Sequence, residues 1–279
     1  MMPELRRVAW SLFGLALWLV APKAQAWGDD GHRVVGEIAW HYLSPSAQRV
    51  VSRSLTEPGY TSLADAATWP DSYAKQDHQY DGMKSFHYVN VPADAAEYRQ
   101  ARDCPHGCVV TALEQFVTLL GRTDPAPSAS ERRQQIYWIA HLVGDLHQPL
   151  HVAHPDDKGG NVTRVGFFGD GEKSAHWIWD SGLIERRPNA AGGDYRALAE
   201  ALIKDVKPAQ LRAWRATTSP ESMTNEALRI AKRFAYLRAE DRVDAVYERS
   251  RWPVVAEQLC KAGVRLAAIF ERALGTPAG

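Results

Sequence analysis

From Asp30 onward the apolar positions recur at helical rather than strand spacing. Val35, Ile38, Ala39 and Leu43 share one face of a first segment, and Ser44-Pro45 marks a restart into Gln48 to Leu55. The same pattern predicts helices over roughly 108–121, 131–147, 194–204, 220–238 and 252–274. In the last of these, Val255, Leu259, Ala262, Leu266, Ile269 and Ala273 form one stripe, which reads as core packing. Val162, Val165, Phe167 and Phe168, set among glycines between Asp156 and Gly171, predict a short β-hairpin near 160–170. No internal repeat, low-complexity tract or linker interrupts residues 27–279, so the expected architecture is a mostly α, single-domain helical bundle.

The first 26 residues follow a different pattern. Arg6 and Arg7 precede an apolar run from Val8 to Ala21, broken only by Ser11 and Gly14, and Ala24-Gln25-Ala26 fits a small-x-small cleavage site. The run is about 14 residues where a membrane span needs roughly 20, so it reads as a cleaved secretory signal peptide. The expectation is a periplasmic or secreted protein with no membrane attachment after cleavage. Cleavage after Ala26 makes Trp27 the N-terminus, with a free α-amino group beside its own carbonyl; that pair can chelate a metal. Export also bears on the three cysteines. Cys104 and Cys108 lie in Asp-Cys-Pro-His-Gly-Cys, where a metal knuckle competes with a disulfide and an oxidising compartment favours the disulfide. Cys260, among apolar helical positions, reads as a buried free thiol.

Composition changes the picture in two ways. With 45% hydrophobic residues in 279, the chain can bury a sizeable core, which excludes disorder and collagen-like repeats. Its 33 Lys+Arg balance 33 Asp+Glu, which excludes a protein that holds nucleic acid mainly by net positive charge. Whatever binds is held locally, and the histidines show where. In the run from Trp138 to His151, the HxxxD spacing sets His141 and Asp145 one turn apart on a helix face, and Pro149 turns His151 back towards them. His176 and Asp180 repeat the i, i+4 pair, and His32 and His87 add two more imidazoles. Helical proteins build multinuclear metal sites from such inward-facing pairs. Imidazole and carboxylate without thiolate suit zinc, manganese or iron, and an exported hydrolytic site makes zinc the leading choice.

These residues carry a resemblance across essentially all of 27–279. Trp27-Gly28 with Gly31-His32, Thr68-Trp69-Pro70-Asp71, Phe86-His87-Tyr88-Val89-Asn90, His141 through His151, Asp157-Lys158-Gly159-Gly160-Asn161 and His176 through Asp180 are similar to the secreted zinc-dependent single-strand nucleases of the mung bean type. The resemblance implies the fold shared with zinc-dependent phospholipase C and three zinc ions per chain. Asp71, His87, His141 and Asp145 are expected to hold one, and His151, His176 and Asp180 a second. The third falls to the α-amino nitrogen and carbonyl oxygen of Trp27 with His32, Asp145 bridging back to the first. Asp65 is a tempting alternative to Asp71, which the family motif favours.

The expected activity is hydrolysis of phosphodiester bonds in single-stranded DNA and RNA to 5′-phosphates, with 3′-nucleotidase activity. A metal-bridging hydroxide is the expected nucleophile, oriented by Asp71 or Asp145. Nucleic acids and nucleotides are the expected substrates, and no protein partner is implied. Tyr88 is the first candidate base platform, ahead of Phe167, Trp177 and Trp179; Asn90 is placed to meet a base edge and Asn161 to border the site. Relatives of this kind often carry a basic residue where this chain has Ala74, so Lys75 stands as a substitute phosphate contact. A phospholipase C is the rival of the same chemistry and a non-catalytic periplasmic zinc-binding protein the rival of another class. Spacing favours the nuclease: His32 follows Trp27 closely, and the final pair is HxxxD where phospholipases end in HxxxE.

Overall fold

The computed structural model describes residues 27–72, 76–187 and 194–275. Residues 1–26, with the expected signal peptide, and Ala74 and Lys75 lie outside them. Among the described residues, helices dominate and strands are few and short.

A central helix, Ala129–Asp145, is the axis of the molecule. Ser128 and Glu131 close a reciprocal capping box at its start, with backbone donors 3.3 and 2.8 Å from the two side-chain acceptors. Every residue from Gln135 to Asp145 is buried, so this helix has no solvent face in its second half and is enclosed by its neighbours. Val109–Leu120 packs along it, with Phe116 stacked on Trp138 at 5.6 Å between ring centroids. The N-terminal helix, Asp29–Tyr42, crosses the long C-terminal helix, Ala245–Ala273, and also touches Tyr195–Asp205 and the short Leu63–Ala66 turn. Glycines permit both close crossings. A Cβ on Gly263 would stand 2.4 Å from Ile38 Cγ2, and one on Gly36 would stand 2.6 Å from the Ala64 Cα.

Two small sheets complete the fold. β1 (Val89–Asn90) pairs in parallel with β2 (Val152–Ala153), in register Val89↔Val152. β3 (Arg164–Phe167) pairs antiparallel with β4 (Glu172–Ser174), and β5 (Arg242–Val243) joins β3 in parallel. The hairpin expected near 160–170 is thus present, with its strands over 164–167 and 172–174. Residues 157–162 are turn, because Lys158, Gly159 and Gly160 all take left-handed φ that no strand can hold.

Helix ends differ from expectation for local reasons. The C-terminal helix starts at Ala245 rather than near 252, because the Asp244 side chain caps the backbone of Val246 and Tyr247. Pro253 lies inside this helix, at an exposed turn where water can serve the carbonyl that loses its partner. The 220–238 segment is helical only over Pro220–Ile230 and ends in one π turn, Ala231–Ala235. The helix Pro208–Ala216 was not expected; it buries only Trp214 and therefore shows no apolar stripe. Cys104 and Cys108 form the expected disulfide, with Cα atoms 5.5 Å apart. Cys260 is a buried free thiol, and burial pushes its pKa up to about 12, so it is unreactive.

The crossing of the N- and C-terminal helices yields a test. Gly263→Ala should lower stability by about 1–3 kcal/mol, since Ile38 is met at its stem and cannot swing aside. Gly82→Ala, with nothing within 4 Å of the added carbon, is the control and should change little in the same denaturant titration.

Candidate metal centre

Three local devices gather the candidate ligands. The buried central helix presents His141 and Asp145 one turn apart, with imidazole Nε2 3.3 Å from carboxylate Oδ2. The β1–β2 pair sets the His87 segment beside His151, whose Nδ1 donates to the His87 carbonyl at 2.7 Å. The turn at Gly159-Gly160 lies against the third segment, and His176 Nδ1 donates to the Gly159 carbonyl at 2.7 Å. Gly159 has φ +63°, and a Cβ there would stand 2.5 Å from the Leu150 carbonyl, so glycine is required for this approach.

Four imidazoles surround Asp145, which is fully buried. His87 Nδ1 and His141 Nε2 stand 3.2 and 3.3 Å from Oδ2, while His32 Nε2 and His151 Nδ1 stand 3.5 and 3.8 Å from Oδ1. His87 Nδ1 and His141 Nε2 approach each other to 2.9 Å. Asp71 lies 3.9 Å from the first of these nitrogens and 4.0 Å from the second. The His32 ring stacks on His141 at 4.1 Å, in space left by Gly144, where a Cβ would stand 2.7 Å from His32 Nδ1. In the neighbouring group, His176 Nε2 faces Asp180 Oδ2 at 3.1 Å and the His151 ring stacks on His176 at 5.1 Å. The donor atoms fall into three triads that could hold a metal: His32, Asp71 and His141; His87, His141 and Asp145; His151, His176 and Asp180.

The donor set fits metal ions. Ligand atoms bonded at roughly 2.0–2.1 Å around a tetrahedral zinc lie about 3.3 Å apart, and His87, His141 and Asp145 show separations of 2.9, 3.2 and 3.3 Å. Backbone carbonyls of Ala67, His87 and Gly159 hold the Nδ1 protons of His141, His151 and His176 at 2.7 Å. Each Nε2 is therefore the ring atom directed inward, free to bind a cation once any proton on it has left. Both ring nitrogens of His32, both oxygens of Asp145 and His151 Nε2 are buried without a hydrogen bond of good geometry. Groups of this kind are rare in a folded interior unless a cation takes them.

Charge follows the same geometry. Burial, reinforced by His141, lowers the His32 pKa to about 4, and burial lowers His151 as well, so both are neutral bases at ordinary pH. Burial also opposes a charge on His141, but Asp145 and Asp71 outweigh it and hold that imidazole above its usual range. Asp145 is the counterpart: burial would raise it, yet His141, His32 and His87 hold it well below the usual carboxylate range. Burial raises Asp180.

Trp27 is fully buried at the edge of this centre, and the next residue anchors the chain there, Gly28 N donating to the Asp180 carbonyl at 2.9 Å. Asp65 turns away, to Ser62 Oγ at 2.6 Å and Arg33 at 3.5 Å. A cavity of about 720 Å³ opens over these triads, lined by Asp71, His87, His151 and His176 with Tyr88, Asn90 and Asn161. Of the four aromatic candidates Tyr88 alone lines it, 44% exposed. Trp179 is buried and donates to the Tyr247 hydroxyl at 3.1 Å, while Phe167 and Trp177 pack edge to face at 5.2 Å. Asn161 Nδ2 donates to the Lys158 carbonyl at 2.8 Å.

Sequence reasoning missed Gln148. It is fully buried, its Nε2 donates to Asp180 Oδ1, and its Oε1 accepts from Leu150 N at 2.6 Å. One amide thus orients the Asp180 carboxylate and shapes the turn that carries His151. The only signal for it in the sequence is its position before Pro149 within the ligand run. His147 lies in the same run but faces away, accepting from Arg265 at 2.8 Å.

Residues 27–275 match the family model of S1/P1 nucleases. The chain is 30% identical to Endonuclease 2 of Arabidopsis thaliana, over 94% of its own length and 96% of the relative's. It is 25% identical to Nuclease S1 of Aspergillus oryzae, covering 92% of this chain and 95% of that one. Nuclease P1 of Penicillium citrinum is 26% identical over 65% of this chain and 67% of its own.

The role of Gln148 can be measured directly. Gln148→Ala should weaken metal binding at the His151, His176 and Asp180 group about 10- to 100-fold, the usual cost of losing a ligand's supporting hydrogen bond. Competitive chelator titration reads it, and an unaltered affinity for every bound ion would remove Gln148 from the site's support.

Proposed function

The chain belongs to the S1/P1 nuclease family and is a nuclease, and we propose that it hydrolyses single-stranded DNA and RNA to 5′-phosphates and dephosphorylates 3′-nucleotides. One observation carries the reading: buried His32, Asp71, His141 and Asp145 converge with half-buried His87 beneath a cavity that also presents an exposed Tyr88. Three zinc ions fit the donors. Asp71, His87, His141 and Asp145 would hold one; His151, His176 and Asp180 a second; and the α-amino nitrogen and carbonyl of Trp27 with His32 a third, bridged by Asp145. Bound zinc supplies a water of lowered pKa, neutralises phosphate oxygens and stabilises a departing alkoxide.

The chain's own residues do the rest. Asp71 or Asp145 orients the attacking water and holds its departing proton. Tyr88 stacks on the base beside the scissile phosphate, which tolerates any sequence because every base has a π face. Asn90, exposed on the same wall, hydrogen-bonds the base edge, and Asn161 borders the opposite side. A paired base in a duplex must first unstack, at a cost of a few kcal/mol, so single strands are cut faster. Removal of residues 1–26 during export would create the Trp27 amine, so processing and activation would be one event, and the mature enzyme would act alone outside the cytoplasm.

Two experiments test this. Tyr88→Ala should lose roughly 1–3 kcal/mol of base interaction, weakening polynucleotide cleavage more than hydrolysis of a phosphodiester that lacks a base. His141→Ala should abolish both; an unchanged ratio in the Tyr88 variant would remove the stacking role. Separately, one extra residue ahead of Trp27 should sharply lower activity while helicity, read by circular dichroism, persists. Full activity from that extended protein would contradict ligation by the N-terminus.

A further inference from the structure

The ten-residue 3₁₀ helix His78–His87 leads into the metal centre. In such a helix residues three apart eclipse one another, so His78, Asp81, Lys84 and His87 lie along one side. The ion pairs along it follow that spacing: His78 Nδ1 and Lys84 Nζ stand 3.0 and 2.8 Å from the Asp81 carboxylate. Asp81, Lys84 and His87 all line the cavity, so the stripe runs from the candidate ligand His87 outward along its wall. Lys158 lines the same cavity from the turn that carries Asn161, and its φ of +53° is one that a non-glycine residue seldom adopts. Strained backbone of this kind persists where it positions a functional group.

We propose that Lys84 and Lys158 bind the phosphates flanking the scissile one and so give the enzyme its preference for polynucleotides over 3′-mononucleotides; this rests on the nuclease reading above. The metal ligands engage one phosphate, whereas a bound strand carries further phosphates along the cavity walls. Asn90 and Asn161 are neutral, so among the described residues lining the cavity the two lysines can answer those charges. Both are exposed, and an ammonium on a flexible stem suits a backbone that is itself flexible. Asp81 keeps Lys84 at the wall in the free enzyme through an exposed ion pair, which contributes little and exchanges readily for phosphate.

The experiment uses the zinc-loaded, processed enzyme and single-stranded oligonucleotides of increasing length, with a 3′-mononucleotide as reference. For Lys84→Gln and for Lys158→Gln, KM for the longer oligonucleotides should rise several-fold more than KM for the mononucleotide, with the larger part of the effect on KM rather than kcat. The slope of log KM against log salt should fall by about 0.7 for each lysine removed, the value for one phosphate contact on a single strand. Lys84→Arg should restore the slope. A wild-type slope in both glutamine variants, or equal effects on oligonucleotide and mononucleotide, would overturn the inference. Absence of any cleavage by the wild-type enzyme would instead overturn the nuclease reading on which it rests.

Discussion

A carboxylate buried among four imidazoles is the constraint on which the rest of the structure depends. Asp145 has no exposed surface, and a charge in that position costs several kcal/mol unless it is compensated at close range. His141 stands one turn away on the same helix, while His32, His87 and His151 reach it from three other segments, each of which needs its own device to arrive. The N-terminal helix must approach the central helix at Gly144, the β1–β2 pair must hold in register, and Pro149 must break the helix early enough to return His151. Much of the fold exists to bring these segments to one carboxylate.

The same constraint explains why the centre is built for cations. His32 and His151 are neutral, deeply buried bases, and Asp145 stays an anion because His141, His32 and His87 face it; a bound cation would compensate the same carboxylate more fully. Metal binding then contributes to folding, because the ligands come from distant parts of the chain. The supporting partners are mostly backbone carbonyls, which fix ring orientation without adding charge. Gln148 is the exception, a side chain that reaches Asp180 from the turn beside His151.

Much of this was legible in the sequence, because ligand geometry at His141/Asp145 and at His176/Asp180 follows from the helical i, i+4 repeat. Asp71 was legible only through family resemblance, since Asp65 satisfies spacing equally well and is excluded by its contacts with Ser62 and Arg33. The hairpin was legible but not its start, because a Gly-rich β-branched stretch fits both a strand and a left-handed turn, and the third strand β5 was not, because it comes from a remote segment. Gln148 and the stripe of Asp81, Lys84 and His87 were not legible. The first acts only through a tertiary contact, and the second requires knowing that the segment winds with three residues per turn rather than 3.6.

The cavity joins the candidate metal centre below to an aromatic and amide wall above. In the proposed centre, eight side chains and the amine and carbonyl of Trp27 hold three ions around Asp145 and Asp180. Anomalous diffraction at the zinc edge, from crystals of protein beginning at Trp27, tests that claim most directly. Three zinc peaks are expected, with Asp145 shared between two of them and His151, His176 and Asp180 on the other. A single peak, or peaks distant from Asp145, would contradict it.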